Sequence, residues 1–308
     1  MDTPAFLILS VDADDFAAQL SVGPHIACYT ADQARNAYTN ESILIGDPHL
    51  VAEVLPEMPT IKWVQSTWAG VKPLIELDRR NYVLTGVKGV FGTQMTEYVM
   101  GYLLTHELNT FERRKRQRDR KWYDAHSDTL HGKRLGIMGT GSIGEHIART
   151  ATAFGMHVCG LNRSGDAVNG FEEVFGQDRL HEFLAGLDYL VSVLPQTPET
   201  DGLLDTGALA HLADHVYFIN IGRGNVVDDQ ALMDALAEKR LAGAALDVFN
   251  EEPLPDSSPL WTTPNLTITA HIAAQSYPAL IAPLFAENYK RYVAGQPLNC
   301  VIDFEAGY

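Results

Sequence analysis

Apolar residues in the first hundred positions gather into short runs separated by polar, Gly- or Pro-containing stretches. Phe6–Val11, His25–Tyr29, Ile43–Ile45, Ile61–Gln65 and Tyr82–Thr85 read as strands, and Pro48–Leu55 as a helix between two of them. Most of these strands are apolar on both faces rather than alternating, which fits parallel strands covered by helices on each side. The opening stretch therefore predicts a small α/β unit. A helical period follows from Thr93 to Phe111, with Tyr98, Val99, Leu103 and Leu104 at helical spacing. From Lys133 a second, cleaner βα series begins. Its strands are Arg134–Met138, His157–Leu161, Tyr189–Leu194, Val216–Ile221, Ala244–Val248 and Leu266–Thr269, with helices that include Ile143–Ala153 and Asp229–Lys239. A last helix covers Pro278–Val293 and stops before Gly295. Repeated β-α-β units of this length predict a doubly wound parallel sheet. The 308 residues suit about two domains.

Charge narrows the functions open to such a fold. With 23 Lys+Arg against 39 Asp+Glu, the net charge is −16, so neither nucleic acid nor an anionic membrane surface is an expected partner. One segment runs against this balance, the basic stretch from Arg113 to Lys121. Cations are favoured near a helix C-terminus, and the rest of the chain is acidic, so the stretch reads as a solvated or subunit-contacting arm. No apolar run approaches the roughly 18–20 residues that span a bilayer. The opening Met1–Phe6 segment has no basic run, and no signal peptide is expected. Cys28, Cys159 and Cys300 are odd in number and far apart, without a C-x-x-C pair. That pattern points to a reducing, cytoplasmic setting, with no disulfide framework and no metal site.

The strand at Arg134–Met138 runs into Gly139-Thr-Gly141-Ser-Ile-Gly144 and then a helix. In a G-x-G-x-x-G turn of this kind, Gly139 permits the tight turn and Gly141 lets the backbone approach a pyrophosphate. Gly144 lets helix and strand pack closely, and the helix N-terminus holds the phosphates. The strand, the helix and the series that follows supply the context the motif needs. An Asp or Glu about 20 residues on ordinarily accepts the adenosine ribose hydroxyls. Here the second strand ends in Asn162-Arg163-Ser164. A neutral amide, a permanent cation and a hydroxyl suit a 2′-phosphate, so NADP(H) is expected over NAD(H).

Three polar motifs follow later strands: Gly222-Arg223-Gly224, Asp247 to Glu252-Pro253, and Thr269-Ala-His271. Residues just past strand C-termini line the ligand crevice of an open α/β sheet, so Arg223, Glu252 and His271 can converge despite their separation. An arginine fork can hold a carboxylate and a carbonyl oxygen together, and an imidazole can protonate a nascent alkoxide. A carboxylate beside the imidazole would favour its protonated form and orient the ring. Each residue also has a plainer reading: Arg223 as a strand-end cap, His271 as a packed core histidine, Glu252 as a turn carboxylate.

Taken in order, with Val193-Leu-Pro195-Gln-Thr-Pro198, Ser258-Pro-Leu-Trp261 and Pro264-Asn-Leu, these motifs resemble the D-isomer-specific 2-hydroxyacid dehydrogenase family across essentially the whole chain. Within it the resemblance is to the NADPH-dependent glyoxylate/hydroxypyruvate reductase branch. The resemblance implies a Rossmann domain, 99–275, inserted into a smaller flavodoxin-like α/β substrate domain, 1–98 and 276–308, with the site in the cleft between them and a homodimer around the arm. It implies reduction of a small 2-keto acid, with Arg223, Glu252 and His271 in the roles above. It further implies cofactor contacts from Thr140, Ser142, Ile143, Leu194, Pro195, Ile221, Gly222 and Ala273, with Asp247 on the nicotinamide carboxamide. The loop Trp68-Ala69-Gly70 resembles the family's substrate-carboxylate loop, where small residues allow close approach. Two residues depart from the usual pattern: Trp68 is bulky, and Lys72 stands where many relatives carry Asp. Two other readings stay open. One is a cofactor-sensing corepressor-type protein, which shares the fold and a similar triad. The other is a Rossmann methyltransferase, which has no need of the triad.

Overall fold

The computed structural model describes residues 3–305, so the outermost ends of the expected domain spans, 1–2 and 306–308, lie outside the described residues. The chain divides into two compact units, one from the N-terminal stretch to Val90 together with the segment from Ser276, the other Phe91–Gln275. The first crossing falls at 90/91 rather than 98/99, because the helix that follows is continuous and packs within the second unit.

The smaller unit is a five-stranded parallel sheet. Its strands are β1 (Phe6–Leu9), β2 (His25–Cys28), β3 (Ile43–Gly46), β4 (Trp63–Ser66) and β5 (Val83–Thr85). The helices α1 (Ala13–Gln19), α2 (Ala31–Ala37), α3 (Pro48–Val54) and α4 (Lys72–Ile75) connect them. The strand order β2-β1-β3-β4-β5 is the flavodoxin-like one. Strands β1, β3 and β4 are buried at every position, which is why their sequences do not alternate. Val11, expected as the end of the first strand, is exposed beyond β1. The end of the chain returns to this unit. Phe285 stacks on Trp63 at 5.0 Å, Ile302 donates to the Leu84 carbonyl at 2.8 Å, and Val301 bridges Thr85.

The larger unit opens with α5 (Gly92–Glu107) and α6 (Thr110–Arg118), then a seven-stranded sheet. Its strands are β6 (Arg134–Met138), β7 (His157–Asn162), β8 (Glu173–Gly176), β9 (Tyr189–Ser192), β10 (Tyr217–Asn220), β11 (Gly243–Leu246) and β12 (Leu266–Ile268). Connecting helices are α7 (Ser142–Ala153), α8 (Leu180–Leu184), α9 (Thr206–Leu209) and α10 (Asp229–Ala237); α11 (Pro278–Val293) belongs to the smaller unit. The order β12-β11-β10-β9-β6-β7-β8 is parallel throughout. The order in which successive strands are added reverses between β6 and β9, the topological switch point where such sheets bind ligands. The single helix expected from Thr93 to Phe111 is two, because Asn109 takes a left-handed backbone (φ 50°) between α5 and α6. No helix among the described residues is long and apolar enough to cross a membrane.

Candidate active site

The glycine turn follows β6. Gly139 sits at φ 104°, a conformation that a side chain would strain. A Cβ on Gly144 would lie 2.0 Å from the Gly139 carbonyl oxygen, so only glycine lets α7 start this close to the strand. A Cβ on Gly141 would meet nothing within 4 Å, and no side chain caps the first turn of α7. Open space in front of uncapped helix amides is what a pyrophosphate needs, so this turn fits a dinucleotide. Ser142 is exposed, Ile143 half-buried and Thr140 buried. The Thr140 hydroxyl accepts from Asn162 Nδ2 at 3.1 Å, which ties the glycine turn to the end of β7. Asn162, Arg163 and Ser164 stand together in that turn.

Across the switch point, the chain after β9 passes close to the chain after β10. A Cβ on Gly222 would lie 2.6 Å from the Leu194 carbonyl oxygen, and the Thr200 hydroxyl donates to the Pro195 carbonyl at 2.7 Å. Ile221 and Ala273 are buried, so their side chains pack into the core, and their N–H groups are already bonded to the Ser192 carbonyl and to Asp247 Oδ2.

The three polar motifs lie at the carboxyl ends of β10, β11 and β12, neighbours in the sheet. Asn220 ends β10 fully buried. Its Oδ1 accepts from the Gly222 N–H at 3.1 Å and its Nδ2 donates to the Arg223 carbonyl at 2.9 Å, which fixes the arginine loop. Gly224 lets that loop press against the backbone of Phe249 and Asn250. Burial pushes the Arg223 guanidinium down from its ordinary range, and the negative charge of Glu252 opposes that shift. Glu252 Oε1 accepts from the Phe249 N–H at 2.9 Å, and its Oε2 lies 2.7 Å from His271 Nδ1. An ionised carboxylate only accepts, so Nδ1 carries the proton and Nε2 is the nitrogen left for a ligand. The imidazole is 48% exposed and not packed in the core.

His271 is held chiefly by Asp247, which is buried at the end of β11. The Asp247 carbonyl accepts from the His271 N–H at 2.8 Å. Its Oδ1 accepts from the Thr269 hydroxyl at 2.6 Å and the Ile272 N–H at 2.8 Å, and its Oδ2 accepts from the Ala273 N–H at 2.8 Å. Tyr98 of α5 donates to the Thr269 hydroxyl at 2.7 Å, since the proton of that hydroxyl goes to Asp247. Gln94 brackets the backbone of Gln275, donating to its carbonyl at 3.0 Å and accepting its N–H at 2.9 Å. These contacts stabilise the left-handed backbone of His271 (φ 53°), which costs about 1–3 kcal/mol for a non-glycine residue. The carboxylate expected on a nicotinamide carboxamide is thus already engaged with the His271 loop. Asn220 and Thr269 fall within the strand-end motifs without a role of their own in the sequence, and the anchoring contacts of Tyr98 and Gln94 depend on partners far along the chain.

Trp68, Ala69 and Gly70 lie in the smaller unit, past the end of β4. Ser66 clamps the loop, its hydroxyl donating to the Trp68 carbonyl at 2.7 Å and accepting the Trp68 N–H at 3.0 Å. The indole stays 40% exposed and lies 5.0 Å from the His49 ring. Lys72 begins α4 in solvent and pairs loosely with Glu76 at 3.8 Å.

A sequence-family model described as "D-isomer specific 2-hydroxyacid dehydrogenase, NAD binding domain" matches residues 100–273. The chain is 35% identical over 270 residues to a glyoxylate/hydroxypyruvate reductase A of Serratia proteamaculans, covering 85% of each. Among solved structures, a D-isomer specific 2-hydroxyacid dehydrogenase family protein of Aeromonas salmonicida is 39% identical. It superposes with a TM-score of 0.93 over 98% of this chain and 100% of the other. An NADPH-dependent glyoxylate/hydroxypyruvate reductase of Sinorhizobium meliloti, in complex with NADP and sulfate, is 28% identical. Its TM-score is 0.88, over 99% of this chain and 100% of that one.

Proposed function

Given that the chain belongs to the D-isomer-specific 2-hydroxyacid dehydrogenase family, and so is an oxidoreductase acting on CH–OH donors with a nicotinamide cofactor, we propose that it reduces glyoxylate, hydroxypyruvate or a close 2-keto acid, giving the D-hydroxy acid where a stereocentre forms. NADPH is the preferred donor in this reading, supported by Arg163 at the end of β7 and by the NADP bound to the Sinorhizobium relative. The nicotinamide supplies the hydride; the rest of the work falls to side chains.

The arginine loop offers Arg223 to the substrate's carboxylate and carbonyl oxygens, holding the acid and drawing electron density from the carbon that is reduced. His271 then gives the Nε2 proton to the oxygen as it becomes an alkoxide. Glu252 keeps the ring oriented and balances the charge of the imidazolium through the 2.7 Å contact, the observation that carries the assignment. Gly139, Gly141, Ser142 and Ile143 serve the pyrophosphate in this reading, while Leu194, Pro195 and Gly222 line the channel beyond it. The substrate roles of Trp68, Ala69 and Gly70 rest on the resemblance, and Trp68→Ala tests them through KM for keto acids of graded size. The free cysteines suit a reducing, cytoplasmic setting.

The test is a panel of 2-keto acids assayed with NADPH and with NADH, on the wild type and on His271→Ala. Loss of the general acid lowers kcat by about 10²- to 10⁴-fold while NADPH still binds. A His271→Ala enzyme as fast as the wild type, or a wild type inert on every keto acid, overturns the reading.

A further inference from the structure

The β7 terminus lacks the carboxylate that ordinarily accepts the adenosine ribose hydroxyl. The fold brings one back within the same turn. Asn162 closes the turn on itself, its Oδ1 accepting the Gly165 N–H at 2.6 Å and its Nδ2 donating to the Asp166 carbonyl at 3.1 Å. Gly165 makes this possible at φ 78°, pressed so close to Gly176 that a Cβ would lie 2.9 Å from the Gly176 nitrogen. Asp166 is thereby set beside Ser164. The Ser164 hydroxyl donates to Asp166 Oδ2 at 2.6 Å, and the Asp166 N–H reaches back to Ser164 Oγ at 3.3 Å.

The hydroxyl expected to serve a 2′-phosphate has therefore given its single proton to a carboxylate. The Arg163 charge is shared as well. Behind a backbone amide and the Thr197 hydroxyl, it helps hold the Glu199 carboxyl below its usual range. A phosphate arriving at this turn meets one guanidinium and, beside the hydroxyl, a negative charge.

We infer that Asp166 sets the cofactor discrimination of this chain: it restores from the loop the carboxylate that β7 lacks, weakens the grip on a 2′-phosphate, and leaves NADH an accepted cofactor alongside NADPH. The inference rests on the cofactor reading above and refines it. A carboxylate about 6 Å from a doubly charged phosphate, in a water-like dielectric, changes affinity by about tenfold. Asp166 is exposed, so the effect shrinks as salt rises.

The measurement is equilibrium binding, by calorimetry, of NADPH, NADH, 2′-phospho-ADP-ribose and ADP-ribose at low and high salt. Asp166→Asn keeps an acceptor for Ser164 and removes only the charge; Asp166→Ala removes both. Each tightens NADPH and 2′-phospho-ADP-ribose by about tenfold at low salt without tightening NADH or ADP-ribose. A phosphate-to-hydroxyl affinity ratio that stays within about twofold of the wild type in both variants overturns the role of Asp166. Arg163→Ala tests the underlying reading separately. If it weakens all four ligands equally, NADP(H) preference fails whatever Asp166 does.

Discussion

At the scale of single residues, the candidate site depends on one buried carboxylate more than its sequence motif suggests. Asp247 gathers the Thr269 hydroxyl and two backbone N–H groups on its two oxygens, and a third N–H on its carbonyl. Asp247→Asn turns an amide NH₂ toward groups that are themselves donors, an arrangement costing about 1–3 kcal/mol in a buried site. The His271 loop then loosens, and kcat falls by about tenfold or more while the Kd for NADPH changes little. A variant whose Kd for NADPH rises as kcat falls would instead mark Asp247 as a cofactor contact. The sequence displayed His271, Glu252 and Arg223 because each follows a strand in an ordered set of motifs. It could not display the left-handed backbone at His271, nor the grip of Asp247 and Tyr98 on Thr269, since those depend on neighbours 22 and 171 positions away.

Among elements, the glycine turn was the most legible, because the chemistry of phosphate binding dictates its residues. Gly144→Ala puts a methyl group 2.0 Å from the Gly139 carbonyl oxygen and forces α7 away from β6. Affinity for NADPH and NADH falls together, and urea denaturation shows the variant less stable by about 1–3 kcal/mol. Equal affinities for the variant and the wild type would show that α7 does not set the phosphate site. Strand β8 was not legible. Glu173-Val-Phe-Gly176 is a short edge strand with only its last two positions buried, too little for either a two-fold or a helical period. The break between α5 and α6 was equally hidden, since Leu104, Leu108 and Phe111 carry a helical spacing straight across Asn109.

For the whole molecule, the order of elements along the chain was enough to expect two parallel sheets, and the orders found are flavodoxin-like and Rossmann-like. Charge adds a molecular-scale consequence. In a chain of net charge −16, α6 carries Arg113, Arg114, Lys115, Arg116 and Arg118, with Phe111 61% exposed on it and Trp122 94% exposed just after it. Exposed aromatics beside a basic face on an acidic protein fit self-association, in keeping with the homodimer the resemblance implies. If the arm is the subunit contact, sedimentation velocity shows a dimer for the wild type and a monomer for Phe111→Asp together with Trp122→Ala. An unchanged sedimentation coefficient would remove the arm from any subunit contact. The path of the chain between its two units has a consequence for synthesis. The larger unit is one uninterrupted stretch, whereas the smaller one needs Phe285 against Trp63 and Val301 against Thr85. A nascent polypeptide leaving the ribosome therefore completes its inserted unit first, and the sheet face around Phe6 and Trp63 waits uncovered until residues 278–301 emerge.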